Sequence, residues 1–257
     1  KINWVNKMTW WVKSAYVSLG ILFVLTQNLH ANQNQEPIEI KNWNFSIGAF
    51  QSIHADYLGS DDYEGSTIPF FDYTYTWDNH QTYTFVRSNE GVGIQTRLGQ
   101  GIIGTSIGYR NERESSENKA LDGLADIDET ATANLFYRYG YNQYSGGFLI
   151  FKGLKNENSG TTVKLHAGCN CKINENLYTS LGAFAIWGDE TYMDDYFGVK
   201  TSEATMSRPE YKASSGLLNY GIRAGLSYDL DEKQGLILNT SIYKLGDEAA
   251  RSTFVEE

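Results

Sequence analysis

Residues that could support hydrolysis lie close together around His54. Asp56, Asp61 and Asp62 follow this histidine, and Ser52 and Ser60 flank it. A serine or a carboxylate oriented beside a histidine is the arrangement on which acyl-transfer sites depend. Solvated rim residues without a catalytic role are much commoner in proteins. The sequence therefore predicts a protein that is not an enzyme, and a hydrolase acting through His54 stays open as an alternative.

Two further groups of side chains could bind a metal ion. The first is the Cys-x-Cys pair Cys169 and Cys171, and the second is the acidic stretch Asp189-Glu190-Thr191-Tyr192-Met193-Asp194-Asp195. The acidic residues could bind a hard divalent cation through oxygen, but their spacing fits no EF-hand loop. The cysteines have no second Cys pair and no histidine on their face of the predicted strand. We predict solvated loop charge and small lipid-facing cysteines, with no metal and no cofactor.

A strict alternation of apolar and polar residues predicts the elements that position these groups. In segment 218–230 every second residue is apolar, and the intervening residues are small, polar or charged. A strand directs successive side chains to opposite faces, so this segment has one apolar and one polar face. Thirteen alternating residues fit a tilted strand that crosses a membrane better than a strand of a soluble sandwich. Segment 161–173 repeats the pattern.

Nine further segments have looser alternation, which predicts eleven strands in an antiparallel transmembrane β-barrel. They are 43–50, 67–77, 81–87, 91–98, 103–110, 131–139, 144–154, 177–187 and 236–244. Short connections alternate with long ones, as in bacterial barrels with short periplasmic turns and long external loops. Because such barrels have an even strand number, about twelve strands are expected, the last one beyond residue 257. Ten strands with an irregular hairpin at 81–98 is the alternative.

The N-terminal segment has the pattern of an export signal. Lys1, Lys7 and Lys13 precede an apolar run at 14–25, which is too short to span a bilayer as a helix. We therefore predict a signal peptide at 1–31, a short periplasmic segment at 32–42 and the barrel at 43–257.

Charge and strand orientation limit the partners. The formal net charge is −10, which disfavours nucleic acid as a partner. A barrel is expected to contact outer-membrane lipid and lipopolysaccharide on its apolar face. The residues predicted to face the lumen are Arg110, Arg138, Lys164, His166, Lys172, Arg223 and Asp229. They could line a pore or fill a narrow lumen.

Several motifs, taken in order, resemble one family of barrels. The first is the Asp56–Tyr63 stretch DYLGSDDY, the second is the Asp189–Val199 stretch DETYMDDYFGV, and the Leu245–Ala250 stretch LGDEAA comes near the end. This chain resembles the MltA-interacting protein family, also called MipA/OmpV, from about residue 43 to the last residue. Members close with a further strand that ends in an aromatic residue, which is not present before Glu257.

The resemblance implies an outer-membrane protein of a Gram-negative bacterium. One member is similar to a scaffold that joins a murein lytic transglycosylase to a murein synthase, and others resemble surface adhesins or antigens. A small-solute channel is the alternative function, and no catalytic residue comes with the family.

Residues of the first two motifs are candidates for an external site. We expect their aromatic side chains to pack the loops over the barrel mouth, and Gly59 and Gly198 to permit backbone turns closed to other residues. The candidates are Asp56, Tyr57, Gly59, Ser60, Tyr63, Tyr192, Met193, Asp194, Tyr196, Phe197 and Gly198.

Overall fold

Each alternating segment forms an antiparallel strand in the computed structural model, which describes residues 16–27, 42–77, 81–155, 158–231 and 233–256. These strands close into one barrel in which each strand pairs with its neighbours in sequence and the first strand also pairs with the last. The predicted fold class is confirmed. The strands are β1 (Tyr16–Gln27), β2 (Trp43–Ala55), β3 (Tyr63–Thr76), β4 (Thr82–Arg87), β5 (Gly91–Leu98), β6 (Gly101–Arg110), β7 (Thr130–Tyr141), β8 (Tyr144–Gly153), β9 (Thr161–Lys172), β10 (Leu177–Gly188), β11 (Gly216–Asp229) and β12 (Gln234–Leu245).

Strand β1 takes the position of the twelfth strand, which the alternation predicts beyond residue 257. It pairs with β12 and with β2, and it lies within the range 1–31 that is predicted to be a signal peptide. The boundaries 1–31, 32–42 and 43–257 stay predictions. Eleven strands leave two edges with unpaired backbone groups, which cannot be satisfied in lipid. The strand at 16–27 provides backbone hydrogen-bond partners for both of these edges. Its role as an export signal stays a prediction, and residues 1–15 and 28–41 lie outside the described residues.

The wall has the apolar outer face that the alternation predicts. Large side chains such as Ile107, Leu165 and Ile222 lie on the outside and are more than half exposed. Lipid covers such a band in an outer-membrane barrel.

The strands are joined at one end by tight turns. Gly99 and Asn142 have positive φ values and occupy the two-residue turns β5–β6 and β7–β8. Glycine and asparagine tolerate this conformation better than other residues do. The predicted turn at 78–80 lies outside the described residues.

Hairpin β4–β5 is the irregular part of the barrel. The six residues of β4 and the eight residues of β5 are separate strands joined by a turn at 88–90, so the ten-strand alternative is wrong. A Cβ on Gly91 would lie 2.0 Å from the Ile107 carbonyl oxygen, so the turn lies directly against β6. This position brings Glu90 to the lumen side of the wall.

Helical segments occur at the other end, in the long connections. They are a 3₁₀ turn (Lys119–Leu121), α1 (Glu190–Phe197) and α2 (Asp247–Ala250). No helix among the described residues has the length and apolar character needed to cross a bilayer.

Candidate functional site

The external connections pack together into a cap over the barrel mouth. We define the cap as residues 56–62, 111–129, 189–215 and 246–256. Its first apolar cluster is formed by α1, α2 and the ends of β11 and β12. The buried members are Tyr192, Met193, Phe197, Ala213, Leu218, Leu245 and Ala249.

A second cluster joins the remaining parts of the cap. Its buried members are Tyr57, Leu121, Leu124, Val199 and Phe254. The Tyr57 hydroxyl donates to the Phe254 carbonyl at 3.0 Å, and the Glu256 amide donates to the Gly59 carbonyl at 2.8 Å. Five side chains from four connections thus exclude water together, which stabilises the cap as a unit.

Helix α1 is anchored to the wall by its N-cap residue. One Asp189 oxygen accepts from the Tyr192 amide at 2.8 Å, as expected of an aspartate N-cap. The other oxygen accepts from the Thr161 amide at the start of β9, also at 2.8 Å. Tyr192 and Tyr196 stack at 4.5 Å between ring centroids on the next turn. The motif therefore begins the helix and fixes it to β9.

One arginine connects the cap to the barrel, and a second joins two parts of the cap. Arg110 donates to the Asn158 side chain at 3.0 Å and to the Gly160 carbonyl, and it lies over the Tyr192 ring. Arg113 is buried and donates to the carbonyls of Tyr196 at 2.9 Å and Ala125 at 3.1 Å. Burial lowers the pKa of Arg113 below its ordinary value.

Most of the predicted external residues meet in the cap, with two differences from the expectation. Tyr63 begins β3 and is 47% exposed, outside both clusters. Gly59 has the expected positive φ of 112°, but Gly198 has a φ of −69° that other residues adopt. Position 198 has no room for a side chain, because a Cβ there would lie 2.4 Å from the Asp194 carbonyl oxygen.

The remaining candidates stabilise the cap through hydrogen bonds. Asp56 accepts from the Asn118 side chain at 2.8 Å, and Asp194 accepts from the Ala213 amide at 3.2 Å. Ser60 is fully buried and accepts from the Asp62 amide at 3.0 Å. These polar residues connect loops to one another.

A cavity of about 430 Å³ lies between the cap and the barrel rim. Tyrosines and residues of both charges line it, including His54, Glu64, Arg110 and Arg113. Its walls belong to the cap and to the rim ends of β2, β3, β6 and β12.

His54 has different neighbours from those that its sequence position indicates. Its ring lies 3.2 Å from the Ser66 hydroxyl, donates to the Ala55 carbonyl at 2.9 Å and approaches Glu64 at 3.9 Å. Ser60 and Asp62 bond each other instead. The pairing of β2 with β3 places Ser66 opposite Ser52. Ser66, rather than Ser60, is therefore the serine beside His54.

One string with nucleophile-elbow spacing, Gly104-Thr105-Ser106-Ile107-Gly108, occurs in β6. A nucleophile elbow requires an exposed serine on a sharp strand-to-helix turn. Ser106 lies inside a strand, is buried and accepts from the Asn134 side chain at 3.1 Å. This geometry does not present a nucleophile.

An ion-pair network fills one sector of the lumen. Arg87 contacts Asp72 at 3.0 Å and Glu90 at 2.9 Å, and Glu90 also contacts Arg138. Arg87 and Arg138 lie over the rings of Phe85 and Phe136, which are almost fully buried. Sequence reasoning missed Asp72, Arg87 and Glu90. The alternation in β3 and β4 is enough to place Asp72 and Arg87 on the lumen face. Glu90 lies in the turn at 88–90, and only the conformation of this turn brings it to Arg138.

The other predicted lumen residues lie on β9 and β11. Lys164 lies 5.3 Å from the Phe184 ring centroid, and Lys172 lies 5.6 Å from that of Tyr178. His166 and Arg223 occupy inner positions of the same sector, and Asp229 is exposed at the end of β11. Cys169 and Cys171 on β9 are free thiols, half-buried and exposed respectively. Within the described ranges, no three His, Cys, Asp or Glu side chains form a metal-binding group.

A family model described as "MltA-interacting protein MipA" matches residues 47–257, which is most of the chain. The chain belongs to this family. Membership and the closed antiparallel barrel place this MipA-family chain in the outer membrane of a Gram-negative bacterium. A comparison with curated protein sequences found no match.

Solved outer-membrane proteins are similar at low identity. OccK8 (OprE) of Pseudomonas aeruginosa is 10% identical, with 95% of this chain and 72% of that chain covered and a TM-score of 0.33. The COG4313 outer membrane channel of Pseudomonas putida F1 is 9% identical over 91% and 96%, with a TM-score of 0.33. OmpT of Vibrio cholerae is 6% identical over 90% and 97%, with a TM-score of 0.34. These values carry no inference about function.

Proposed function

We propose that this MipA-family chain is a non-enzymatic outer-membrane scaffold that binds a murein lytic transglycosylase, and through it a murein synthase, on its periplasmic side. The main structural support for the proposal is the cap. Its two apolar clusters cover the external mouth, which favours a docking protein over an open pore. The family description, an MltA-interacting protein, supports the class of partner.

Docking on the periplasmic side depends on strand ends, because the described turns there are short. Residues 99–100 and 142–143 are two-residue turns, and such turns alone offer far less surface than the roughly 1,000 Å² of a specific interface. Exposed tyrosines at the ends of β7 and β8 enlarge the surface, and tyrosine is enriched at interfaces. Tyr139, Tyr141 and Tyr144 are between 41% and 59% exposed.

Crosslinked capture from detergent solution tests the proposal. The tagged full chain is incubated with a purified lytic transglycosylase of the same envelope, and capture is compared with two variants. Tyr141→Ala/Tyr144→Ala should weaken capture at least tenfold, whereas deletion of 190–198 in the cap should leave it within twofold. Absence of capture by the unmodified chain, or loss only with the cap deletion, would reject a periplasmic scaffold.

A small-solute channel is the second candidate, and one observation favours it. Arg223 and Asn239 occupy inner positions of β11 and β12 and are still solvent-exposed. The side chains of the described residues therefore do not fill the lumen beside them. Current steps from the full chain in a planar bilayer would separate the two functions, since only a channel should give them.

A further inference from the structure

The lumen is basic although the chain is acidic. The whole chain has a net charge of −10, but basic side chains outnumber acidic ones at the inner positions of the described strands and at the β4–β5 turn. The inner basic residues are Arg87, Arg97, Arg110, Arg138, Lys164, Lys172 and Arg223. The inner acidic residues are Glu64, Asp72, Glu90 and Asp229. This inversion concentrates positive potential inside the barrel.

Among these seven cations, the ion pairs of the described residues include only Arg87 and Arg138. Arg87 and Arg138 share Asp72 and Glu90, and Arg110 donates to the Gly160 carbonyl. Across the described parts of the chain, the ion pairs include neither Lys164 nor Arg223.

Strand register and side-chain direction bring two of the unpaired cations, Lys164 and Arg223, toward each other. Arg223 on β11 pairs with Gly182 on β10, which pairs with Gly168 on β9. The Arg223 Nε atom lies 3.4 Å from the position that a Gly182 Cβ would take, so the guanidinium stem crosses the glycine. On β9, His166 is the inner neighbour of Gly168 and pairs with Phe184 on β10, and the Lys164 Nζ atom lies 5.3 Å from the Phe184 ring centroid.

His166 adds an unsatisfied polar atom at the same place. Its Nδ1 atom is buried and has no hydrogen-bond partner among the described residues. A buried polar atom without a partner destabilises a protein, so such atoms often mark a position that a ligand or water completes.

We propose that Lys164, His166 and Arg223 form a binding site in the lumen for a small anion that carries a carboxylate or phosphate group. Two like charges near each other in a partly desolvated wall repel, and an anion between them converts repulsion into attraction. Arginine offers a planar pair of donors that matches carboxylate and phosphate oxygens, and lysine adds a point charge. His166 provides a hydrogen bond.

The anion reaches this site from the periplasmic side. The cap lies over the external mouth, whereas the described turns 99–100, 142–143 and 173–176 at the opposite end are short. Arg223 itself is solvent-exposed.

Titration of the detergent-solubilised full chain with inorganic phosphate tests the site. Dodecyl maltoside keeps phospholipid phosphate out of the sample, and phosphorus NMR or calorimetry reports binding. We expect saturable binding of one phosphate per chain. Lys164→Gln and Arg223→Gln should each weaken it at least tenfold, because each removes one of the two charges that face the anion.

Lys172→Gln is the matched control, since Lys172 is an inner lysine of the same strand nearer the periplasmic end. This variant should bind phosphate with an affinity within twofold of that of the unmodified chain. If the unmodified chain shows no saturable binding, or if Lys172→Gln weakens binding as much as Lys164→Gln, the proposal is wrong and the lumen attracts anions only diffusely. Heat-modifiable migration verifies that each variant is folded. Arg223→Lys provides a second, charge-conserving variant, for which we expect a smaller loss than for Arg223→Gln.

Discussion

At the scale of single residues, Asp195 in α1 links the cap to pH. Its carboxylate is half-buried, and its Oδ2 atom lacks a hydrogen-bond partner among the described residues. Burial, with Asp194 beside it, raises the pKa of Asp195 to about 6 from an ordinary value of 3.8. The unfolded segment releases this proton at lower pH than the folded cap does, so the folded cap loses stability as pH rises from about 4 to about 6.

Asp195→Asn should remove this pH dependence. The variant cap should resist limited proteolysis better than the original at pH 7.5, with little difference at pH 4, because only the charged carboxylate is unfavourable. Glu190→Gln on the exposed side of the same helix is the control and should change little, since a surface ion pair contributes little. Equal protection of the Asp195→Asn and original caps at pH 7.5 would contradict the prediction.

Arg113 is the residue whose loss should loosen the cap most. Arg113→Ala removes two charge-assisted hydrogen bonds to carbonyls and leaves both acceptors unsatisfied, which destabilises by about 2 kcal/mol. Cleavage within the cap should accelerate roughly 5–30-fold. Arg251→Ala, which removes an exposed arginine from the same cap, should stay close to the original rate. Similar cleavage of the two variants would show that burial of Arg113 does not matter.

At the scale of elements, the anchored start of α1 controls how firmly the cap is held. Asp189→Ala removes both the N-cap bond and the bond to β9, which should destabilise the helix by about 1–2 kcal/mol. Asp189→Asn keeps one acceptor oxygen and should lose less. Amide exchange of residues 190–198 measures the difference, and equal exchange in the two variants would mean that the side-chain oxygens are unimportant.

Alternation predicted the central parts of the strands well and their rim ends poorly. Segments 218–230 and 161–173 correspond closely to β11 (Gly216–Asp229) and β9 (Thr161–Lys172). Segments 43–50 and 67–77 were too short, because β2 and β3 continue to the rim through Gln51–Ala55 and Tyr63–Ser66. Lipid no longer selects apolar residues there, so alternation fades while backbone pairing continues.

At the scale of the whole molecule, the cap should keep the barrel from conducting. The full chain in a planar bilayer is expected to give no discrete current steps, since the external connections pack over the mouth. Deletion of 190–198 removes α1 from the first cluster and should produce steps in a variant that retains heat-modifiable migration. Steps from the full chain would favour the channel, and silence from both proteins would place the barrier inside the lumen.

The sequence by itself determined that this chain is an antiparallel outer-membrane barrel with short turns at one end and long loops at the other. Alternation with a period of two is a local property, and it follows directly from strand geometry and from lipid on one side. Family motifs added the envelope context.

Only the tertiary structure decided how the barrel closes, what the loops do and which lumen charges are paired. Tyr57 and Phe254 meet in the cap although 197 positions separate them, and Arg138 meets Glu90 across two strands. Strand register, the inward turn at 88–90 and the packing of four connections create these contacts. Such contacts depend on where distant segments meet in space, which a pattern of neighbouring residues does not contain.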